Sequence, residues 1–272
     1  MRKDMSIGIV GFGNMGRAIG QSIASTDLWE VTAYDNYKVK TNNLKKIKIV
    51  KNAKELILNS SIVILAIKPH DVGSFIKENS VYFLKNKPTL ISIAAGITTN
   101  YFQKSLKGIK IIRVMPNLAA TVNESFSLIC KGTLSKKSDL DISKKIFSQI
   151  GQVFITEESY LDKATSISGS GPGYIFYFMD IMYKSALTLG FNKKIAKKMV
   201  AQTFFGTSKL AKSSEKDFEQ LAREVTSKKG TTEAALNTFE KYNLSSIVKE
   251  GIGNSYMRAK EISKIYTKNE RS

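Results

Sequence analysis

The stretch "GIVGFGNMGRAIG", residues 8–20, decides the fold. It begins as an apolar strand, turns at Gly11, Phe12 and Gly13, and enters a helix that we expect to begin at Gly16. In a G-x-G-x-x-G pattern the first glycine allows the tight turn, the second lets the backbone approach a pyrophosphate, and the third lets helix and strand pack closely. The helix N-terminus offers N–H groups and a positive dipole end to phosphates. The stretch therefore predicts a dinucleotide-binding domain.

Short β-branched runs alternate with helical segments through the first half of the chain. The runs are "SIGIV" (6–10), "EVTAYD" (30–35), "KIKIV" (46–50), "SIVILAI" (61–67), "TLISIA" (89–94), "KIIRVM" (110–115), "SFSLIC" (125–130) and "GQVFIT" (151–156). Strand and helix in turn predict βαβ units and a parallel sheet covered on both faces. We predict an α/β fold, with a Rossmann-type doubly wound parallel sheet over residues 1–158.

After about residue 158 the spacing of apolar residues is helical throughout, which predicts an all-helical domain over residues 159–272. Its first long helix contains "YIFYFMDIMY" (174–183), with apolar residues on more than one face. A small helical domain cannot bury so many apolar side chains alone. We therefore predict that a helical subunit interface covers this part of the domain.

Composition excludes several classes of protein. Cys130 and His70 are the single cysteine and the single histidine among 272 residues, so we expect neither an internal disulfide nor a zinc site, and we predict no metal. The N-terminus shows no signal-peptide core, and no run of about 18 apolar residues predicts a membrane span. We predict a soluble, cytoplasmic protein.

The net charge of +19 raises the alternative of a nucleic-acid-binding protein. Such a protein would bind RNA with a steep salt dependence and show no turnover. The lysines, however, are spread as pairs over many helical segments, which is typical of a solvated surface. We predict no nucleic-acid partner.

The second strand ends at Asp35, where an acidic side chain usually binds the ribose 2′-hydroxyl of NAD. Asn36, Lys38 and Lys40 follow at once, and they could hold a 2′-phosphate if Asp35 turns away as a strand-end turn residue. The residues alone therefore leave NADH and NADPH both open.

Two later strands end in small residues, at "AIKPH" (66–70) and "AAG" (94–96). Strand C-termini of an open parallel sheet face the ligand crevice, and small side chains there let a cofactor lie close to the backbone. Histidine is a residue type suited to acid–base catalysis, but His70 has no evident carboxylate partner in the sequence, so a surface position is the stronger interpretation.

The motifs "GFGNMG", "AIKPH", "IAAGIT", "RVMPN", "SGSGP" and "VTSKKGTTEAAL" (225–236), in this order and at these spacings, resemble the pyrroline-5-carboxylate reductase family. The resemblance runs from about Ile7 to Glu261, and its last motif is the most specific. It implies hydride transfer from NAD(P)H to the C=N bond of 1-pyrroline-5-carboxylate, giving L-proline. It also implies a homodimer through the helical domain, with each active site between one subunit's nucleotide domain and the partner's helical domain, and it leaves open whether dimers assemble into a larger oligomer. It slightly favours NADPH, whereas Asp35 favours NADH.

The resemblance also implies roles for individual residues. Thr232 would be the catalytic hydroxyl near the ring nitrogen, the Gly230, Thr231 and Thr232 backbone would hold the substrate carboxylate, and Val225 and Ser227 would line the pocket. Together with the glycine turn and the strand ends, the predicted cofactor contacts are Gly11, Phe12, Gly13, Asn14, Met15, Gly16, Asp35, Asn36, Asn52, Ala66, Ile67, Lys68, Pro69, Ala94, Ala95 and Gly96. The chemistry agrees, because a carboxylate substrate suits a helix N-terminus and hydride transfer needs orientation rather than a nucleophile.

Three positions depart from the family pattern. "NLAA" (117–120) replaces "NTPA", Gly173 replaces a slightly larger residue, and Lys228-Lys229 replaces Pro-Gly or Lys-Gly. The first two changes predict looser loops. For the lysines we weigh two hypotheses: a raised local positive potential for an anionic substrate, or side chains that simply point to solvent.

The nearest alternative function is a related reductase with a helical second domain, such as an imine reductase or a β-hydroxyacid dehydrogenase. Those enzymes typically need a lysine or aspartate on the helical domain. Asp180 and Lys184 are the candidates here, but their apolar surroundings favour a structural or interface role.

Overall fold

An eight-stranded sheet forms the first part of the computed structural model, which describes residues 5–37, 44 and 46–268. The strand order is β3-β2-β1-β4-β5-β6-β7-β8. The strands are β1 Ser6–Val10, β2 Glu30–Tyr34, β3 Ile47–Ile49, β4 Ile62–Leu65, β5 Thr89–Ser92, β6 Ile111–Met115, β7 Ser125–Lys131 and β8 Gly151–Ile155. Since the order reverses between β1 and β4, a ligand crevice is expected at the carboxyl ends of these two strands.

The central strands are buried on both faces. All four residues of β4 are buried, and they alternate between two cores: Ile62 and Ile64 face one, Val63 and Leu65 the other. Such continuous apolar strands are typical of a parallel sheet covered by helices on both sides. The predicted doubly wound α/β architecture is confirmed.

The helices alternate with the strands as predicted, and only helical elements follow β8 in the described residues. They are α1 Asn14–Ser25, α2 Ala53–Leu58, α3 Pro69–Asn86, α4 Thr99–Ser105, α5 Lys137–Phe147, α6 Leu161–Ala164, α7 Gly171–Thr188, α8 Lys193–Ser213, α9 Phe218–Glu224, α10 Thr231–Lys241 and α11 Leu244–Lys268. Helix α1 begins two residues before the predicted start at Gly16, because Gly13 takes the N-cap position.

The last two strands extend the sheet as predicted, but in the opposite direction. Strand β7 pairs antiparallel to β6, and β8 pairs parallel to β7. The connection from β6 to β7 carries only a single turn of 3₁₀ helix at Leu118–Val122. A parallel neighbour would need a crossover of a dozen or more residues, so the short connection dictates the reversal.

Contacts divide the chain into two compact units. The helical unit comprises Gly171–Asn254, and the sheet unit comprises residues up to Ser170 together with those from Ser255 onward. Helix α11 thus begins in the helical unit and ends in the sheet unit, where Tyr266 packs on the core. Across the described ranges, no helix has the length and apolar character needed to cross a membrane.

Candidate active site

The turn between β1 and α1 is fixed by close packing of the sheet unit. Gly11 has a φ of +88°, and a Cβ there would lie 2.6 Å from the Ala66 carbonyl oxygen. A Cβ at Gly16 would overlap the Gly11 carbonyl oxygen. Both glycines are therefore required by the fold itself, as the fingerprint predicts.

Gly13 differs from the other two glycines of the motif. A Cβ at Gly13 would meet nothing within 4 Å, and its φ of −71° is open to any residue. Nothing in the described protein requires a glycine there, so the free space beside the backbone is available to a ligand. This observation supports a close approach by a pyrophosphate.

The N-terminus of α1 fits an anion. Its N-cap is Gly13, with no side chain capping the first N–H groups, and its first turn contains no acidic residue. Asn14 is exposed and Met15 is half-buried at this end. Unsatisfied N–H groups and a positive dipole end form a site for phosphate.

Asp35 is engaged by the backbone on both carboxylate oxygens. Oδ2 accepts the Phe12 N–H at 2.6 Å, and Oδ1 accepts the Tyr37 N–H at 2.9 Å. The side chain therefore ties the end of β2 to the glycine turn. The neighbouring Asn36 accepts a hydrogen bond from the Tyr34 hydroxyl at 2.6 Å. Lys38 and Lys40, the predicted alternative ligands of a 2′-phosphate, lie outside the described residues.

The other predicted cofactor residues lie at the same edge of the sheet. Ala66 and Ile67 contact the Gly11 turn, and exposed Lys68 and half-buried Pro69 begin α3. Ala94, Ala95 and Gly96 follow β5, which pairs beside β4. Asn52 caps α2 by accepting the Glu55 N–H at 2.8 Å. These residues thus follow the carboxyl ends of β1, β2, β3, β4 and β5, which are neighbours in the sheet.

The predicted substrate residues form one turn in the helical unit. Gly230 donates its N–H to the Ser227 carbonyl at 2.9 Å and is the N-cap of α10, whose first two residues are Thr231 and Thr232. Val225, at the end of α9, is 64% exposed. The Thr232 hydroxyl has no hydrogen-bond partner in the described part of the chain. The turn therefore presents N–H donors and a free hydroxyl side by side.

The two lysines of this turn are exposed. Lys229 has a left-handed backbone with φ of 60°, and its N–H donates to Glu233 Oε2 at 2.6 Å. Glu233 lies in the first turn of α10 and places a negative charge near the end that would receive a carboxylate. Positive charge from Lys228 and Lys229 would offset it.

The predicted loose loop at residues 117–120 is held by Asn117. Its Oδ1 accepts the Ala119 N–H at 3.1 Å, its Nδ2 donates to the Ser168 carbonyl at 3.0 Å, and its N–H donates to Ser125 Oγ at 3.1 Å. These three bonds hold the start of the loop without a proline. Gly173, the second departure, lies exposed in the first turn of α7.

Among the described residues, the other reactive side chains do not form a second catalytic set. Asp180 raises the pKa of Lys184, first through a hydrogen bond and then through its charge, and the pair is joined at 2.6 Å. An ammonium group so paired is not poised as a general base. His70 is exposed, with Nε2 3.5 Å from Asp71 Oδ2. Burial raises the pKa of the Cys130 thiol to about 12, which leaves it neutral.

Sequence reasoning missed Arg113. Its side chain is 2% exposed and donates to Glu158 and Asp162 in the sheet unit. A charged residue inside the apolar run "IIRVM" is the signal that points to a buried ion pair.

The sheet, its glycine turn and the helical second unit define a two-unit dinucleotide-binding oxidoreductase. The pyrroline-5-carboxylate reductase of Methanosarcina acetivorans is 32% identical to the chain over 273 residues, covering 96% of this chain and 99% of the relative. The chain belongs to the pyrroline-5-carboxylate reductase family. The Synechocystis enzyme is 30% identical over 266 residues, with coverage of 96% and 99%.

Family models and a solved structure agree with this membership. A model described as pyrroline-5-carboxylate reductase dimerisation matches residues 158–262, and one described as NADP oxidoreductase coenzyme F420-dependent matches residues 6–96. The crystal structure of Plasmodium falciparum pyrroline carboxylate reductase with NADP bound aligns with a TM-score of 0.87 at 25% identity, covering 96% of this chain and 99% of that one.

Proposed function

We propose that this protein reduces the C=N bond of 1-pyrroline-5-carboxylate with NAD(P)H, giving L-proline in the last step of proline biosynthesis. The observation that carries the proposal is the turn at residues 225–232, which presents an unpartnered Thr232 hydroxyl at an uncapped helix N-terminus. Family membership supports it, since the relatives carry this enzyme's name.

The substrate combines a carboxylate with a ring imine, and the turn offers a partner for each. The N–H groups of Gly230, Thr231 and Thr232 would bind the carboxylate, because a helix N-terminus supplies donors and a positive dipole end. The Thr232 hydroxyl would hydrogen-bond the ring nitrogen and so orient the C=N carbon. Val225 and Ser227 would line the pocket.

The residues at the sheet edge fit a nicotinamide dinucleotide. The pyrophosphate would lie on the α1 N-terminus beside Gly13, where the structure has open space and the first helical turn has no acidic residue. When bound, the reduced nicotinamide supplies the hydride. The protein binds and orients the two reactants and excludes water, so it needs no covalent nucleophile.

We further propose that NADPH is preferred over NADH. Both oxygens of Asp35 already accept backbone N–H groups, so its main role would be to hold the turn rather than to bind a ribose hydroxyl. The 2′-phosphate of NADPH would then not face a carboxylate whose oxygens lack hydrogen-bond donors. The NADP bound in the Plasmodium structure supports the same preference.

The proposal includes a homodimer formed through the helical domain. In α7, Phe176 is 58% and Tyr177 is 67% exposed, and Ile175, Ile181 and Met182 are exposed beside them. Apolar side chains in such number need a covering surface, and the dimerisation model spans this helix. The functional boundary we propose lies at residue 158, separating 1–158 from 159–272. Assembly beyond the dimer and a cytoplasmic location stay predictions.

The direct test mixes the purified protein with 1-pyrroline-5-carboxylate and either NADPH or NADH and follows cofactor oxidation and proline formation. We expect turnover with both cofactors and a higher kcat/KM with NADPH. A β-hydroxy acid with oxidised cofactor serves as the control for the related reductases. The proposal is wrong if only the β-hydroxy acid is turned over, or if 1-pyrroline-5-carboxylate is reduced with neither cofactor.

A further inference from the structure

A buried cluster of charges lies behind the predicted cofactor loop of the sheet unit. Arg113, on β6, is among the largest fully buried side chains. Its NH1 donates to Glu158 Oε1 at 3.2 Å, and its NH2 donates to Asp162 Oδ1 at 2.8 Å. Burying a guanidinium is costly unless it is paired, and one cation here serves two carboxylates.

Each carboxylate extends the cluster to a further element. Glu158 accepts the Thr99 backbone N–H at 2.8 Å and the Thr99 hydroxyl at 2.6 Å. Asp162 accepts the Ser263 hydroxyl at 2.8 Å. The cluster therefore joins β6, the start of α4, residues 158–164 and the C-terminal part of α11, all within the sheet unit.

Two of the elements joined by the cluster, α4 and α11, lie next to residues 94–96. Thr99 begins α4 only three positions after Gly96. Gly96 has a φ of +76°, and a Cβ there would lie 2.6 Å from Ile262 Cγ2 and 3.2 Å from the Ser263 backbone nitrogen. Glu158 thus binds Thr99, just after the loop. Helix α11 packs against Gly96, and the Ser263 hydroxyl of α11 donates to Asp162.

We infer that Arg113, Glu158 and Asp162 are positioning residues that hold the Ala94–Gly96 loop ready for the nicotinamide cofactor. The inference rests on the proposed function, which places the cofactor against this loop. A loop that is ordered before binding loses less conformational freedom when the ligand arrives. Residues that hydrogen-bond to a binding loop from behind also keep the loop within the narrow range of geometry that a reaction needs.

The test uses Thr99→Val and Glu158→Gln. The first removes one hydroxyl while keeping the shape and every charge, and the second removes the charge while keeping the shape. NADPH affinity is measured by titrating cofactor fluorescence without substrate, followed by kcat, both KM values and Tm. We expect the Kd for NADPH to rise about fivefold or more in each variant, since each loses a hydrogen bond in the cluster. Under saturating NADPH, the KM for the pyrroline substrate stays at its wild-type value.

Two further variants separate positioning from general stability. Thr99→Ser restores the hydroxyl and should return the NADPH Kd to the wild-type value. Asp139→Asn alters another buried carboxylate of the sheet unit, which accepts Lys110 Nζ at 2.9 Å and the Lys136 N–H at 2.7 Å, away from the carboxyl ends of β1, β2, β4 and β5. It should lower Tm without changing the Kd.

The outcomes are distinguishable from a failure of the proposed reaction. If Thr99→Val and Glu158→Gln lower Tm as Asp139→Asn does while the Kd for NADPH is unchanged, the cluster only stabilises the fold and the inference is wrong. Wild-type protein that binds NADPH but reduces no substrate contradicts the reaction alone, and the Kd values still decide the inference. Wild-type protein that binds neither NADPH nor NADH overturns both. Thr99→Val decides alone if Glu158→Gln does not fold.

Discussion

Two helix N-termini in this molecule, called here the α1 and α10 entrances, both have a glycine as N-cap but have different surroundings. Helix α1 follows Gly13 and α10 follows Gly230, and neither N-cap has a side-chain hydrogen bond. Around α1 the turn is buried at Gly11 and Phe12, where Asp35 and contact with Ala66 hold it, and is exposed at Gly13. Around α10 the turn is largely exposed, and local bonds within residues 227–234 hold it.

The difference shows how the two ends serve different ligands. The α1 entrance is shaped by long-range packing and has no acidic side chain in its first turn, which suits phosphate groups. The α10 entrance has Glu233 in its first turn, and its specific chemistry is concentrated in one hydroxyl, that of Thr232. Cofactor affinity should therefore depend on the open space beside the Gly13 backbone. The rate of turnover should depend on the Thr232 side chain.

The largest effect is expected from Thr232→Ala. Loss of a hydroxyl that orients and polarises the imine should lower kcat about 100-fold, by analogy with the removal of one preorganised donor from an active site. The NADPH Kd and Tm should stay at their wild-type values, because the side chain has no partner in the described structure. Steady-state kinetics with both substrates provide the measurement.

Thr231→Ala is the matched control for this variant, since it removes the adjacent exposed hydroxyl and keeps the backbone. It should retain most of the wild-type kcat, and Thr232→Ser should restore turnover. Equal losses at both positions would assign the effect to the helix entrance as a whole rather than to the Thr232 hydroxyl.

The second prediction separates the glycines of the α1 turn. Gly13→Ala should weaken NADPH binding at least tenfold, which corresponds to about 1.4 kcal/mol, because the methyl group occupies the space beside the backbone. Since that space is empty of protein and φ is −71°, alanine should gain about 0.4–1 kcal/mol from a less flexible unfolded chain. Alanine is also a poorer N-cap than glycine, so the free energy of unfolding should change by less than about 1 kcal/mol.

Gly16→Ala is the comparison. Its Cβ would overlap the Gly11 carbonyl, so this variant should lose stability as well as cofactor affinity. Cofactor titration and thermal unfolding test both variants. An unchanged NADPH Kd in Gly13→Ala would show that no pyrophosphate lies against this residue.

The sequence predicted those parts of the molecule whose signals are local. Strand periodicity and the glycine fingerprint predicted the α/β sheet, and helical spacing predicted the second half. Helical spacing extends through the stretch before α7, and the structure there has a 3₁₀ turn at Glu158–Tyr160, α6, and a π turn at Thr165–Gly169 rather than a regular α-helix. Hydroxyls there bond to nearby carbonyls, which competes with a regular helix.

Features that depend on distant contacts were not predictable in the same way. The Arg113 pairs join residues 45 and 49 positions apart, and the Asp162–Ser263 bond spans 101 positions. The two hydrogen bonds of Asp35 are another case, since the strand-end position alone left both a ribose ligand and a turn residue open. The periodicity of apolar residues carries no information on which distant residues form hydrogen bonds with one another.

Asp35→Asn tests which of these roles is correct. One amide oxygen cannot replace two carboxylate oxygens, so one backbone N–H loses its acceptor, at a cost of about 1–3 kcal/mol in the free energy of unfolding. We expect the Kd values of NADPH and NADH to rise together, by about threefold to tenfold, because the turn itself loosens. Asp27→Asn, at an exposed pair with Lys46, is the control. A selective loss of NADH binding would instead make Asp35 a ribose ligand.

The smallest effect is expected at the exposed lysines of the α10 entrance. Lys228→Ala with Lys229→Ala should raise the KM for the anionic substrate about twofold to threefold at low ionic strength, and the difference should shrink as salt screens the charges. The kcat should hold, because neither side chain is proposed to contact the reacting atoms. The Lys229 backbone is left-handed, so Lys229→Asn serves as a control that removes the charge at a residue type tolerant of that conformation. A KM that is unchanged at low salt would make both lysines bystanders. It would also leave the N–H groups of the helix entrance as the whole of the carboxylate site, despite the Glu233 charge beside them.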